Sequence, residues 1–133
     1  MVLKVLCVDD DDSFRALFEF ACQQQRDIRL TSAKSGEEAL KHTAEDLFDL
    51  IVLDVVMPAL DGPETLDRLR AQSINRDTPA VFMTAHAHPT ELNWLKTLDV
   101  VDVLPKKFNL KQLAGTLRSL AQEGVAKRMP TRH

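Results

Sequence analysis

Four consecutive aspartates, Asp9 to Asp12, an Asp54 that closes the apolar run Leu50-Ile51-Val52-Leu53, a threonine at 84 and a lysine at 106 are the residues whose chemistry could combine. Carboxylates brought together repel, and at least one pKa rises unless a cation neutralises them. A hard divalent ion is the natural remedy. Mg²⁺ takes octahedral oxygen ligands, one or two of them carboxylates, which suits Asp9, Asp10 and Asp54. Ca²⁺ suits the run less well, since no glycine-containing loop ending in Glu surrounds it. An aspartate can also attack phosphorus. Asp54 is then the acceptor, and Mg²⁺, the Lys106 ammonium and the Thr84 hydroxyl could each meet one equatorial oxygen of the transferring group.

These side chains meet only if the chain carries them to one place. Apolar runs at Leu3–Val8, Ile28–Thr31, Leu50–Leu53, Ala80–Met83 and Val100–Leu104 are each followed by helical spacing of apolar residues. The runs scarcely alternate, so they predict strands buried on both faces, the mark of a parallel sheet between helices. In such a sheet the residues after every strand emerge at one edge, where ligands bind. Asp9 to Asp12, Asp54, Thr84-Ala85 and Lys106 all follow strands. The second strand offers only Ala33-Lys34-Ser35, consistent with an outer position.

The helices carry their own signals. Phe14, Leu17, Phe18 and Ala21 fall on one face of the first, and Leu110, Leu113, Ala114, Leu117, Leu120 and Ala121 on one face of the last. Ser35-Gly36-Glu37-Glu38 has capping-box spacing, Gly62 opens the third helix, and Pro89 suits the first turn of the fourth. Asp11 and Asp12 read as helix N-terminal charges and not as metal ligands. Trp94 lies off the Leu92, Leu95, Leu98 stripe and is expected at the surface, where a partner could meet it. Residues 1–123 form one domain by this pattern, and 124–133 a flexible tail without an apolar stripe.

Composition narrows the function. A charged fraction of 28%, a hydrophobic fraction of 44% and a net charge of -3 describe a globular chain with no electrostatic reason to approach nucleic acid or a membrane. Met1–Val8 is too short for a signal-peptide core, and no segment reaches transmembrane length. Cys7 and Cys22 lack metal-ligand spacing and read as buried, reduced thiols of a cytoplasmic protein. His86 and His88 lack a third ligand nearby; His86 stands close enough to Thr84 to influence hydrolysis of a phosphoryl group. Acidic residues follow the first strand where a dinucleotide fold would need G-x-G-x-x-G.

Taken in order, Val5-Leu6-Cys7-Val8-Asp9-Asp10-Asp11, Leu53-Asp54-Val55-Val56-Met57-Pro58 with Asp61-Gly62, Met83-Thr84-Ala85, and Lys106 before Phe108 make the chain, from about Leu3 to Ala121, resemble the response-regulator receiver domains, the CheY-like family of two-component signalling. The resemblance implies a flavodoxin-like, doubly wound fold with strand order 2-1-3-4-5. It implies phosphorylation of Asp54, with Mg²⁺, from a phosphohistidine of a sensor kinase or phosphotransfer protein. Asp9 and Asp10 match the acidic pair, the Val56 carbonyl a further metal ligand, and Thr84 and Lys106 the switch hydroxyl and phosphate-binding lysine. It implies signalling to a protein target, or homodimerisation, through the fourth helix, fifth strand and fifth helix. Such a domain is no enzyme beyond its own phosphorylation and dephosphorylation.

Three departures stand out. Lys107 occupies the family's proline position, and because a non-proline cis bond costs about 2.5–4 kcal/mol, a trans bond between 106 and 107 is expected. Val103 replaces the aromatic residue three positions before the lysine, so the usual threonine–aromatic switch cannot operate. Asp99 stands where the turn before strand five usually has glycine. Two alternatives are a receiver-like module that does not phosphorylate and a haloacid-dehalogenase-type phosphohydrolase. The latter's D-x-D-x-[TV] signature fails here, where Ser13 or Phe14 fills its last position.

Overall fold

The alternating runs become β1 (Leu3–Val8), α1 (Asp12–Gln23), β2 (Ile28–Ala33), α2 (Gly36–Glu45), β3 (Leu50–Asp54), α3 (Gly62–Gln72), β4 (Ala80–Thr84), α4 (Pro89–Lys96), β5 (Asp102–Pro105) and α5 (Leu113–Arg128). They come from a computed structural model that describes residues 1–72, 74–85 and 88–128. All pairings are parallel, in the expected order β2-β1-β3-β4-β5. β3 sits between β1 and β4, and every one of its residues is buried.

Alternate strand residues feed two apolar layers. Val5, Cys7, Val52, Val81 and Met83 pack with Phe14, Phe18, Leu113, Leu117 and Leu120, so α1 and α5 cover one face. Leu6, Val8, Ile51, Leu53 and Phe82 pack with Ala39, Leu66, Leu69 and Leu95, so α2, α3 and α4 cover the other. Each fully buried Leu or Phe contributes about 1.5–3 kcal/mol. Cys7 and Cys22 are free and buried. Burial pushes the Cys22 thiol up to about 11 and Cys7 further, so neither offers a reactive thiolate.

Several boundaries differ from the sequence pattern. β5 starts at Asp102, because Val100 and Val101 form the turn into it. Leu17 and Leu110 are exposed at 51% and 41%; the first-helix stripe is completed by Cys22 instead. α5 continues past residue 123 to Arg128, with Gly124 so close to Pro79 and Val101 that a Cβ would collide with the proline ring. The capping box is half formed: the Ser35 hydroxyl accepts from the Glu38 amide at 3.1 Å, while the Glu38 carboxylate accepts from the Lys34 amide. Asp99 has no left-handed backbone to require glycine, since among the described non-glycine residues only Ala59 has positive φ. It pairs with the Arg70 guanidinium at 3.0 Å.

At the amino end of the sheet, opposite the carboxyl edge, Asn75 is fully buried. Its Oδ1 accepts from the Phe48 amide at 2.8 Å and the Thr78 hydroxyl at 2.9 Å, and its Nδ2 donates to the carbonyls of Thr43 and Asp46. Arg70 donates to the carbonyls of Asn75, Arg76, Thr78 and Asp99. The turns before β3, β4 and β5 are thereby tied together.

Candidate functional site

β1 ends by delivering Asp9 into the carboxyl edge, where it is 1% exposed. Its Oδ1 accepts from the Asp11 amide at 2.9 Å, and its carbonyl accepts from Arg15 at 2.6 Å. Asp11 is the N-cap of α1, its carboxylate accepting from the amides of Ser13 and Phe14. The acidic loop is thus held from both sides by the first turn of the helix after it. Asp12 points away and pairs with Arg15. The aspartate run divides as its spacing suggests: Asp9 and Asp10 belong to the pocket, Asp11 and Asp12 to the helix end.

Asp54 closes β3 and is 6% exposed. Carboxylate oxygens of Asp9, Asp10 and Asp54 can all lie within 4.8 Å of one another. Lys106 reaches in from the end of β5, its amide donating to the Thr84 carbonyl at 3.0 Å. Its Nζ lies 2.7 Å from Asp9 Oδ2 and 3.3 Å from Asp54 Oδ2. The ammonium meets the charge of Asp9 Oδ2 without the angles of a hydrogen bond, so this buried oxygen keeps unpaired lone pairs. Thr84 is buried at the end of β4. No described peptide bond is cis, so the 106–107 bond is trans as expected.

The loop after Asp54 is tightly drawn. Gly62 donates its amide to the Val55 carbonyl at 2.9 Å, and a Cβ there would collide with the Asp54 carbonyl oxygen. Ala59 takes a left-handed backbone at φ 66°, and the Val56 side chain is exposed.

Charge in this pocket is unbalanced. Burial, then the Asp9 carboxylate, pushes the Asp54 carboxyl up to about 6, with Lys106 acting against both. For Lys106, burial disfavours the ammonium, but the close ion pairs with Asp9 and Asp54 outweigh it and raise its pKa above the ordinary lysine value. Three carboxylates face one ammonium. A hard, oxygen-ligated divalent cation fits that donor set, and the unpaired Asp9 Oδ2 points to the same need.

Of the residues the sequence marks at strand ends, the structure brings Asp9, Asp10, Asp54 and Lys106 together, with the Thr84 carbonyl bonded to the Lys106 amide. Spacing missed Phe14 as a site neighbour: the ring, read as core, lies beneath Lys106, with Nζ 4.8 Å from its centroid. Its place in the first helical turn after the aspartates was the available signal. Arg15, four residues after the N-cap, was missed too. His86 lies outside the described residues. His88 is the N-cap of α4, its Nδ1 accepting from the Thr90 amide.

A doubly wound α/β domain with carboxylates and a lysine converging at its switch-point edge defines an acidic-pocket member of the flavodoxin-like class. Residues 5–118 match the response regulator receiver domain family, and the chain belongs to it. It is 32% identical to the transcriptional regulatory protein CpxR of Escherichia coli strain K12 over 117 residues, covering 88% of this chain and 48% of CpxR. It is 31% identical to the sensor protein GacS of Pseudomonas syringae over 130 residues, covering 96% of this chain and 14% of GacS. The chain therefore spans about half, or much less, of the curated relatives it matches. The chemotaxis protein CheY4 of Vibrio cholerae superposes with a TM-score of 0.81 at 32% identity, over 90% of this chain and 99% of that one. The chain is thus a receiver domain of two-component signalling, a signalling domain and not an enzyme of the usual kind; neither the phosphohydrolase nor the non-phosphorylating reading is favoured.

Proposed function

We propose that Asp54 accepts a phosphoryl group from the phosphohistidine of a sensor kinase or phosphotransfer protein. The observation that carries this reading is the convergence of Asp9, Asp10 and Asp54 within 4.8 Å, with Lys106 Nζ 3.3 Å from Asp54. An Asp54 carboxylate oxygen attacks phosphorus as the phosphorus–nitrogen bond of the donor breaks, and the electron pair returns to the imidazole. Asp9, Asp10, Asp54 and the Val56 carbonyl would hold Mg²⁺, which would supply charge neutralisation for the transferring group. Lys106 leaves its carboxylate partners to meet one phosphoryl oxygen, and the Thr84 hydroxyl meets another. Loss of the phosphoryl group to water is the domain's own second step.

Output runs through α4, β5 and α5, toward a protein target or a second copy. Trp94, 52% exposed on α4, offers an aromatic anchor there. Val103 cannot supply a moving ring, so coupling to this face is weak or differently routed. No helix among the described residues is long and apolar enough to cross a membrane. Free buried thiols accord with a cytoplasmic setting.

Incubation with acetyl phosphate and Mg²⁺, followed by intact-mass measurement, tests the assignment. One phosphoryl adduct is expected, blocked by EDTA and lost in Asp54→Asn. An adduct of unchanged yield in that variant overturns it.

A further inference from the structure

We propose that Phe14 is a positioning residue for Lys106, its ring face holding the ammonium in the pocket through a cation–π contact; this rests on Lys106 being the phosphate-binding lysine. Lys106 Nζ lies 4.8 Å from the Phe14 ring centroid, inside the roughly 6 Å range over which a ring face attracts a cation. Both partners are sheltered. Phe14 is 9% exposed and the Lys106 side chain 17%, so water competes little for the ammonium.

The ring is itself fixed. The Phe14 amide donates to the N-cap carboxylate of Asp11, so the loop that presents Asp9 also sets where the ring stands. Phe108, two residues beyond Lys106, meets the ring edge-on at a centroid distance of 5.7 Å, and Phe18 packs against both rings at about 6 Å. This trio joins α1 to the β5–α5 loop. Lys107 leaves the position after the lysine without a proline, though Pro105 precedes it, and the aromatic floor supplies a restraint from the side-chain end.

A ring face suits the task this lysine performs. Lys106 must exchange carboxylate oxygens for a phosphoryl oxygen as transfer proceeds, and a hydrogen-bond acceptor at Phe14's place would hold one of its N–H groups on a fixed line. The quadrupole of a ring attracts broadly and leaves the N–H groups to the oxygens. The ammonium can swing across the pocket without losing its support.

The test replaces Phe14 by its mono-, di- and trifluorinated forms, which nearly keep the ring's shape while withdrawing charge from its face. Acetyl phosphate labelling of Asp54 with Mg²⁺ is expected to slow with each fluorine, reaching about 3- to 10-fold for the trifluoro ring. In the unmodified protein the Lys106 ε-methylene protons are expected at upfield ring-current positions that Phe14→Leu abolishes. Labelling rates indifferent to fluorination would overturn the proposal and reduce Phe14 to packing. Unshifted ε-methylene protons would overturn it as well. Labelling that persists in Asp54→Asn would sink the acceptor assignment instead, and the ring-current shift, which needs no phosphorylation, would still decide whether the ring holds the ammonium.

Discussion

Lys106 stands nearer to Asp9 than to Asp54, with Nζ 2.7 Å from the first carboxylate and 3.3 Å from the second. That oxygen, Asp9 Oδ2, is ion-paired with the ammonium but accepts no hydrogen bond among the described residues. A divalent cation held as proposed would therefore compete with the ammonium for Asp9. Lys106→Met should tighten Mg²⁺ binding by about tenfold, equivalent to roughly 1.4 kcal/mol. Calorimetric titration of both proteins with Mg²⁺ measures this, and equal dissociation constants would contradict the competition.

The Asp54 carboxyl titrates at about 6 in the fold against a usual 3.8. Between those values the folded protein keeps a proton that the unfolded chain has released, so stability falls as pH rises through this window and levels off above it. The difference corresponds to at most about 3 kcal/mol. In metal-free buffer Asp54→Asn should flatten the slope between about pH 4 and 6 and raise stability at neutral pH by up to that amount. Urea unfolding across the range tests both parts; parallel curves for the two proteins would refute the assignment.

Gly62→Ala places a methyl group against the Asp54 carbonyl oxygen, a backbone atom of a buried central strand that has no room to withdraw. A loss of about 1–3 kcal/mol is expected, along with slower acceptance of phosphate, because any relief must displace Asp54 itself. Urea midpoints and labelling rates read the two effects. Normal labelling in a destabilised variant would mean that the strain is relieved away from the pocket.

Ala59 offers the reverse experiment. A left-handed backbone costs an L-residue about 1–2 kcal/mol, and glycine removes that cost while adding roughly 0.4–1 kcal/mol of unfolded-state entropy. Ala59→Gly should therefore raise the unfolding midpoint slightly, by the equivalent of about 0.5–1 kcal/mol. A lowered midpoint would show that the loop draws support from the alanine methyl.

The pocket was legible because each of its residues comes directly after, or at the end of, a strand, and parallel strands deliver their carboxyl ends to one edge. Asp9, Asp54, Thr84 and Lys106 needed only the apolar runs to be placed. Phe14 escaped for a physical reason. Helical spacing tells which face a ring joins, and Phe14 does join the core, but it cannot tell that a lysine from position 106 will lie across the ring. Leu17 and Leu110 show the converse limit: apolar spacing marked them for burial, and the tertiary arrangement left them in water. Asn75 carried no signal at all, since a polar residue in a turn looks like any solvated turn until the distant segment from Thr43 to Phe48 closes on it.

That asparagine gives the molecule two unlike ends. At one, four hydrogen bonds to a single buried side chain tie its turn to the end of α2 and the approach to β3, up to 32 residues away in sequence. At the other, like charges crowd together and a strained loop waits on a change of partner. Displacement begun at the charged end meets a fixed anchor at the far end, so the strands can lean and twist about it while their register there is preserved. In the proposed phosphorylation cycle Asn75 would anchor the end of the sheet far from Asp54.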